Sequence, residues 1–368
     1  MSIKSIHIQN FKSIRDSGEI EIGPINILIG PNGVGKSNFI SFFKLLNNIY
    51  KEQLQRYIAE SGYADKMLYF GRKKSKFIAG GILFRNDKNQ INNRYDFKLT
   101  PDQENSFYFE KETGGFNTSY ESSHQNWNFI EISSVGKLES GIKNSGATRF
   151  EHLKKYFENF NVFHFHDTSA SSTLKQASKT LDYRLLREDG SNLASYLFRI
   201  KDTHPNNYKM IEYAVRSVAP FFNKFDLKPD AKNPDVIFLN WLELNSDEYF
   251  NGHNLSDGTL RFIALSTLLL QPDLPKTIII DEPELGLHPA AVIKLAAMIK
   301  SASTKTQIIV STQSVNLLDQ FEPKDVIVVE REDNQTVFKR PDTEALSDWL
   351  KDYSIGELWG KNVLGGTP

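Results

Sequence analysis

The chain of 368 residues contains no cysteine. Disulfide bridges and zinc–thiolate centres are therefore excluded, and the composition agrees with a reducing compartment. Charge of one sign is also missing: 44 Lys+Arg stand against 45 Asp+Glu, a formal net charge of −1. That balance excludes a globally basic nucleic-acid binder but leaves room for a local basic patch. Long apolar runs are lacking too. The longest stretches, such as 262–270, fall far short of the ~20 residues a membrane helix needs. The N-terminus, MSIKSIHIQNFKSI, has neither the apolar centre nor the small-residue cleavage site of a signal peptide. A cytoplasmic protein with no membrane partner is expected. Repeats, low-complexity runs and sustained heptads are absent as well.

What is present reads as a globular protein, with 39% hydrophobic and 24% charged residues. The length suits a large α/β domain carrying inserted lobes. Ile3, Ile6 and Ile8 lead to Phe11 as a first strand, and Ile20 and Ile22 alternate like a second. A short apolar strand over 25–29 runs straight into GPNGVGKS at 30–37. After it, Phe39, Ile40, Phe43, Leu46 and Ile49 recur at helical spacing and predict a helix over 37–50. Residues 78–132 read as hairpins split by Asn, Asp and Gly clusters. Residues 149–249 read as mostly helical, most clearly over 193–200 and 208–218, with a β-like return at 236–241. From Gly258 on, helix and strand alternate, which implies a mostly parallel sheet covered by helices. The core is thus expected to be assembled from residues 1–84 and 251–368. A β-rich lobe over 85–148 and a mostly helical lobe over 149–250 would be inserted between them.

The motif at 30–37 is a P-loop: its glycines turn the backbone so that successive N–H groups face phosphate oxygens. Asn32, Gly33, Gly35, Lys36, Ser37 and Asn38 are its candidate nucleotide-binding residues. Lys36 supplies a charge for the β- and γ-phosphates, and the Ser37 hydroxyl can ligate Mg²⁺. The cofactors expected are ATP and Mg²⁺. Residues 277–282, TIIIDE, form a buried-strand run ending in two carboxylates. Asp281 suits the water shell of Mg²⁺, and Glu282 is placed to polarise the attacking water. Leu255-Ser256-Asp257-Gly258 precedes a helix. Ser256 reads as its N-cap, which does not exclude anion binding at the same helix start.

Five segments occur in an order that resembles ABC-type ATPases of the SMC/Rad50/RecF group: residues 10–14 (NFKSI), GPNGVGKSN, LSDG, IIIDEPELGLHP and IIVSTQS. Within that group the chain is most similar to the small RecF-like bacterial ATPases with an AAA domain. LYFGRK at 68–73, FHFHDTS at 163–169 and LWGKN at 358–362 share that similarity. The resemblance implies an ABC-type P-loop head that works as a homodimer, with a higher oligomer left open. Each ATP would be capped by Ser256 and Gly258 of the other chain. It places residues 284–288 in an interface-crossing D-loop, and Phe11, Lys12 and Ser13 near the nucleotide. It also makes Gln313 a catalytic candidate, in the position of the family's switch histidine. Glutamine can hydrogen-bond but cannot carry a proton charge as histidine can, which points to slow or partner-dependent hydrolysis. No glutamine marks a Q-loop; the turn at 70–72 is the candidate for that position.

Other features carry less. His164 and His166 share a strand face with Asp167 beyond them, but no third group stands at metal-ligand spacing. Arg72, Lys73, Lys74 and Lys76 form the densest basic cluster, read as a solvated face or a DNA contact. His288 reads as a packing or interface residue. No toprim nuclease segment or coiled-coil arm is legible. The resemblance therefore implies a switch acting on a separately encoded nuclease or toxin-like effector in antiviral defence. A RecF-like DNA-maintenance ATPase is the alternative and keeps nucleic acid open as a partner.

Overall fold

The computed structural model describes residues 2–85, 92–117, 127–146, 150–158, 160–246 and 248–366. It divides into two compact units. The first comprises Met1–Asn161, Pro323–Tyr353 and Glu357–Pro368; the second comprises Val162–Glu322 and Ser354–Gly356. The expected lobe boundary at 148/149 lies outside the described residues.

The first unit opens with β1 (Ser2–Phe11), β2 (Ile14–Glu21), β3 (Ile25–Ile29) and the helix α1 (Lys36–Tyr50). Short helices α2 (Leu54–Glu60), α3 (Tyr63–Met67) and α4 (Gly71–Lys74) follow, and were not anticipated from the sequence. Next come β4 (Ile78–Arg85), β5 (Asn92–Pro101), β6 (Phe107–Asn117) and β7 (Asn128–Ser133), then α5 (Glu151–Phe157). A short strand, β8 (Phe160–Phe163), spans the boundary between the units. One six-stranded antiparallel sheet runs in the order β2-β1-β4-β5-β6-β7. The hairpins read from the sequence are there, and they continue the sheet that the first two strands begin.

The alternation in β5 gives that sheet one apolar face: Tyr95, Phe97 and Leu99 are buried, and Asp96 and Lys98 between them are half-buried. The face is covered by α1. Phe42 stacks on Phe97 with centroids 6.1 Å apart and meets Phe11 edge-on at 5.9 Å. Phe39, on another side of α1, lies 5.2 Å from Phe338. The helix is covered on more than one side, so Phe42 and Leu45 are buried along with the predicted stripe. Each fully buried Phe contributes roughly 1.5–3 kcal/mol by removing apolar area from water.

The second unit contains β9 (Ser178–Lys179), α6 (Leu193–Thr203), α7 (Pro205–Val218) and the short strands β10 (Phe222–Phe225), β11 (Val236–Ile237), β12 (Trp241–Glu243) and β13 (Tyr249–Phe250). It continues with α8 (Asp257–Leu270), β14 (Thr277–Asp281), α9 (Pro289–Ser303) and β15 (Gln307–Ser311). β14 and β15 pair in parallel, with Asp281 opposite Ser311. The α9 crossover between them is the connection that parallel strands require. The chain then returns to the first unit as β16 (Val326–Glu332), parallel to β3, and β17 (Gln335–Lys339), antiparallel to β16. Asp333 and Asn334, at φ 46° and 63°, make the turn of that hairpin. The fold is mixed α/β, with parallel and antiparallel sheets. No helix among the described residues is long and apolar enough to cross a membrane.

Candidate nucleotide site

The glycine loop and the start of α1 lie in the first unit. All five residues of β3 are buried, and the strand delivers Gly30 at its end. Gly30 has φ 151°, and any Cβ there would collide with the Val329 carbonyl. Gly35 has φ 119° and would collide with the Thr336 and Ser13 hydroxyls. Both positions need glycine for space and for backbone conformation. Helix α1 starts at this loop with no side-chain cap and no acid in its first turn. Its leading N–H groups and dipole therefore favour an anion. Lys36 is 5% exposed, and its Nζ donates to the Gly30 carbonyl at 2.5 Å and the Pro31 carbonyl at 3.0 Å. Asn32, Gly33 and Ser37 are exposed around it.

A partly buried polar network supports the loop. Ser13 Oγ accepts from Asn38 Nδ2 at 2.6 Å and shares a 2.7 Å hydrogen bond with Thr336 Oγ1. Thr336 Oγ1 donates to the Val34 carbonyl at 2.6 Å, and the Thr336 N–H donates to the Ser13 carbonyl at 2.9 Å. Ser13, expected beside the nucleotide, thus has its hydroxyl engaged in shaping the loop. Lys12 sits at φ 52°, donates its N–H to the Met67 carbonyl at 2.7 Å and holds Nζ 5.5 Å from the Phe11 ring centroid. Burial first, then the neighbouring Lys44 charge, lowers its pKa.

Sequence reasoning missed Thr336. Nothing local marks one fully buried threonine in a polar strand, and its partners are hundreds of residues away. Thr336→Val keeps the shape and removes the hydroxyl. It is expected to destabilise the protein by about 1–3 kcal/mol, because the Val34 carbonyl is left unpaired. ATP affinity is expected to fall with it. Urea unfolding and calorimetric titration check both, and wild-type values would show that the network does not shape the loop.

The second unit carries Asp281, Glu282 and Gln313. Asp281 ends β14, and its Oδ1 accepts from Ser311 Oγ. Glu282 follows at φ 40°, in the left-handed region, with its N–H donating to the Ser311 carbonyl at 2.9 Å. A non-glycine residue held there costs on the order of 1–3 kcal/mol and is a frequent mark of functional sites. Gln313 Nε2 donates to Glu282 Oε1 at 2.5 Å. Gln313 therefore meets the Glu282 carboxylate directly.

Ser256 caps α8, accepting from the Thr259 N–H at 3.2 Å. Gly258 packs so closely on the Gly286 carbonyl that a side chain would not fit. His288 caps α9, its Nδ1 accepting from the Ala290 N–H at 3.2 Å. In the His164–His166 segment, the His166 carbonyl accepts from Arg261 at 2.9 Å.

Hard oxygen donors fit Mg²⁺. Ser37 in the first unit and Asp281 in the second each offer such a donor.

Comparison with known proteins places the chain in a family and a fold. The family model described as "AAA domain, putative AbiEii toxin, Type IV TA system" matches residues 25–319. The Old nuclease of Escherichia phage P2 is 23% identical over 387 residues, covering 96% of this chain and 63% of that protein. A putative ABC transporter ATP-binding protein of Clostridium acetobutylicum is 32% identical over 88 residues, 23% of this chain and 31% of that protein. The chain thus spans less than two thirds of the length of these curated relatives. The solved SmcHead bound to the C-winged helix domain of ScpA is similar at a TM-score of 0.64 and 16% identity, covering 95% of this chain and 100% of that one. That likeness is one of fold.

Proposed function

Since the chain belongs to the AAA-domain family described as putative AbiEii toxin, Type IV TA system, and has the fold of an SMC-like ABC ATPase head, we propose that it is a Mg²⁺-dependent ATPase whose ATP-bound form is a homodimer acting as a switch. The observation that carries hydrolysis is the Glu282–Gln313 pair, 2.5 Å apart at the end of a buried strand. Lys36 and the loop N–H groups hold the phosphates. Glu282 accepts the proton of the attacking water, and Gln313 fixes the carboxylate that does so. Gln313 cannot itself carry the proton, so the base function rests on Glu282. Mg²⁺, when bound, neutralises charge on the β- and γ-phosphate oxygens.

The switch is proposed to act on a separately encoded effector, nuclease or toxin-like, in bacterial antiviral defence in the cytoplasm. The family description, which names a toxin, and the Old nuclease relative support that reading. The RecF-like DNA-binding alternative leans on the basic stretch 72–76. There Arg72 donates to the Asp102 carbonyl and Asn105 Oδ1, both at 2.6 Å, and Lys76 donates to the Arg72 carbonyl at 2.9 Å. Lys73, Lys74 and Lys76 are its exposed charges, a small footprint for phosphate-driven binding.

The start of α8 supplies the dimer contact in this proposal. Its cap is set by Ser256 and its N–H groups would face the γ-phosphate held by the partner's P-loop, giving two equal sites across a two-fold axis. Ser256→Arg costs about 1 kcal/mol as a lost cap and adds bulk on the approach. The variant is expected to bind ATP as a monomer within ~3-fold of wild type, under 1 kcal/mol, yet to lose the ATP-dependent dimer and turnover. Size exclusion with and without ATP, beside a calorimetric titration, checks this. Loss of ATP binding by the folded monomer would place the segment in its own chain's pocket and defeat the proposal.

A further inference from the structure

We propose that Glu284 is a positioning residue for hydrolysis, whose carboxylate holds the Thr312–Gln313 segment so that the Gln313 amide meets Glu282. This rests on the reading of Glu282 as the base. The geometry is direct. Glu284 Oε1 accepts from Thr312 Oγ1 at 2.5 Å and from the Gln313 N–H at 3.3 Å. Thr312 is fully buried, and the hydrogen bond itself is partly shielded from water. Gln313 then reaches Glu282 at 2.5 Å. Backbone and side chain of one residue are thus held by two carboxylates, Glu284 at the main chain and Glu282 at the amide.

A passive role in an interface loop does not account for how Glu284 is placed. Its Oε2 is buried with no hydrogen-bond partner among the described residues. Leaving a carboxylate oxygen in that state works against the fold. Burial is also the main force pushing the Glu284 pKa up, with the Glu282 charge adding to it. A residue placed at such cost to stability is one retained for something other than stability.

The same loop is pressed against α8. Gly258 abuts the Gly286 carbonyl, and Arg261 Nη1 lies 3.1 Å from where a Gly286 Cβ would be. Arg261 is itself fixed by the Phe165 and His166 carbonyls, each at 2.9 Å. Burial lowers the Arg261 pKa, and the Asp257 and Glu284 charges act against that. Glu284 therefore links the start of the capped helix α8 to the segment that orients the base.

The test is a double-mutant cycle on kcat, with ATP affinity measured separately. Glu284→Ala is expected to lower kcat ~10–100-fold while leaving ATP affinity within ~3-fold, the signature of an interaction that acts in the reaction rather than in binding. Glu284→Gln keeps an oxygen that can accept both bonds and is expected to restore most of kcat. In a Gln313→Ala background, Glu284→Ala is expected to cost no more than ~2-fold further, because both losses pass through one amide. Multiplying losses, or wild-type kcat in Glu284→Ala, would overturn the inference. Should Glu284→Ala fail to fold, Thr312→Val removes the other end of the bond at constant shape, and the same non-additivity with Gln313→Ala decides the matter. Gln313→Ala at full wild-type kcat would also overturn the inference while leaving Glu282, tested by its own variant, intact. Absence of turnover in the wild-type protein would instead overturn the ATPase reading together with the inference built on it.

Discussion

Lys36→Ala is expected to bind ATP at least ~100-fold more weakly than wild type. The ammonium is buried and aimed across the loop, bonded to the Gly30 and Pro31 carbonyls at 2.5 and 3.0 Å. Its position is therefore fixed by the loop before any phosphate is considered. A charge-assisted hydrogen bond to an anion is worth roughly 1.5–3 kcal/mol, and every 1.4 kcal/mol is about tenfold in affinity. One such contact thus accounts for ~10–100-fold, and loss of the pre-set loop geometry adds to it. The variant leaves two carbonyls without their donor, so a thermal melt belongs beside the titration. Calorimetry with ATP and Mg²⁺ on folded protein is the measurement. Undiminished affinity would remove Lys36, and with it the P-loop assignment, from the mechanism.

Glu282→Gln should bind ATP normally and turn it over ~10²–10⁴-fold more slowly, the range that loss of a general base covers. The structure gives a reason to expect clean separation of the two effects. Gln313 Nε2 donates to Glu282 Oε1, and an amide oxygen at that position still accepts that bond. The left-handed backbone at Glu282 and its N–H bond to the Ser311 carbonyl do not depend on the side chain's charge. Shape is kept and the base is lost. Under the dimer proposal the variant should accumulate as an ATP-bound dimer in size exclusion. Single-turnover assays report the rate directly. Wild-type turnover would move the base function elsewhere, and Glu284, the other carboxylate that holds Gln313, would be the first place to look.

The candidate residues were legible in the sequence to different depths. Gly30, Gly35, Lys36 and Ser37 could be read because the loop's chemistry is local. A buried strand ends, glycines permit the turn, and a helix begins, all within about ten residues. Asp281 and Glu282 were legible for the same reason, at the end of a run of isoleucines. Ser256 could be read as a helix cap, and it is one. What the sequence did not reveal at Ser13 is its hydrogen bond to Thr336 across 323 positions of chain. Arg72, read with its neighbours as a solvated charge, is held by a carbonyl and an amide 30 and 33 positions away.

The sequence by itself determined the elements and the chemistry each one carries. Apolar periodicity sets strand or helix, and glycine or a capping side chain sets where an element turns or starts. Those are short-range consequences of backbone sterics and burial. Only the tertiary structure decided which segments meet. Thr336 shapes the phosphate loop because β17 pairs with β16 and β16 lies beside β3. Glu284 reaches Thr312 and Gln313 because β14 and β15 are neighbours in register. Partners of that kind are chosen by the free energy of packing whole elements, which no window of the chain contains.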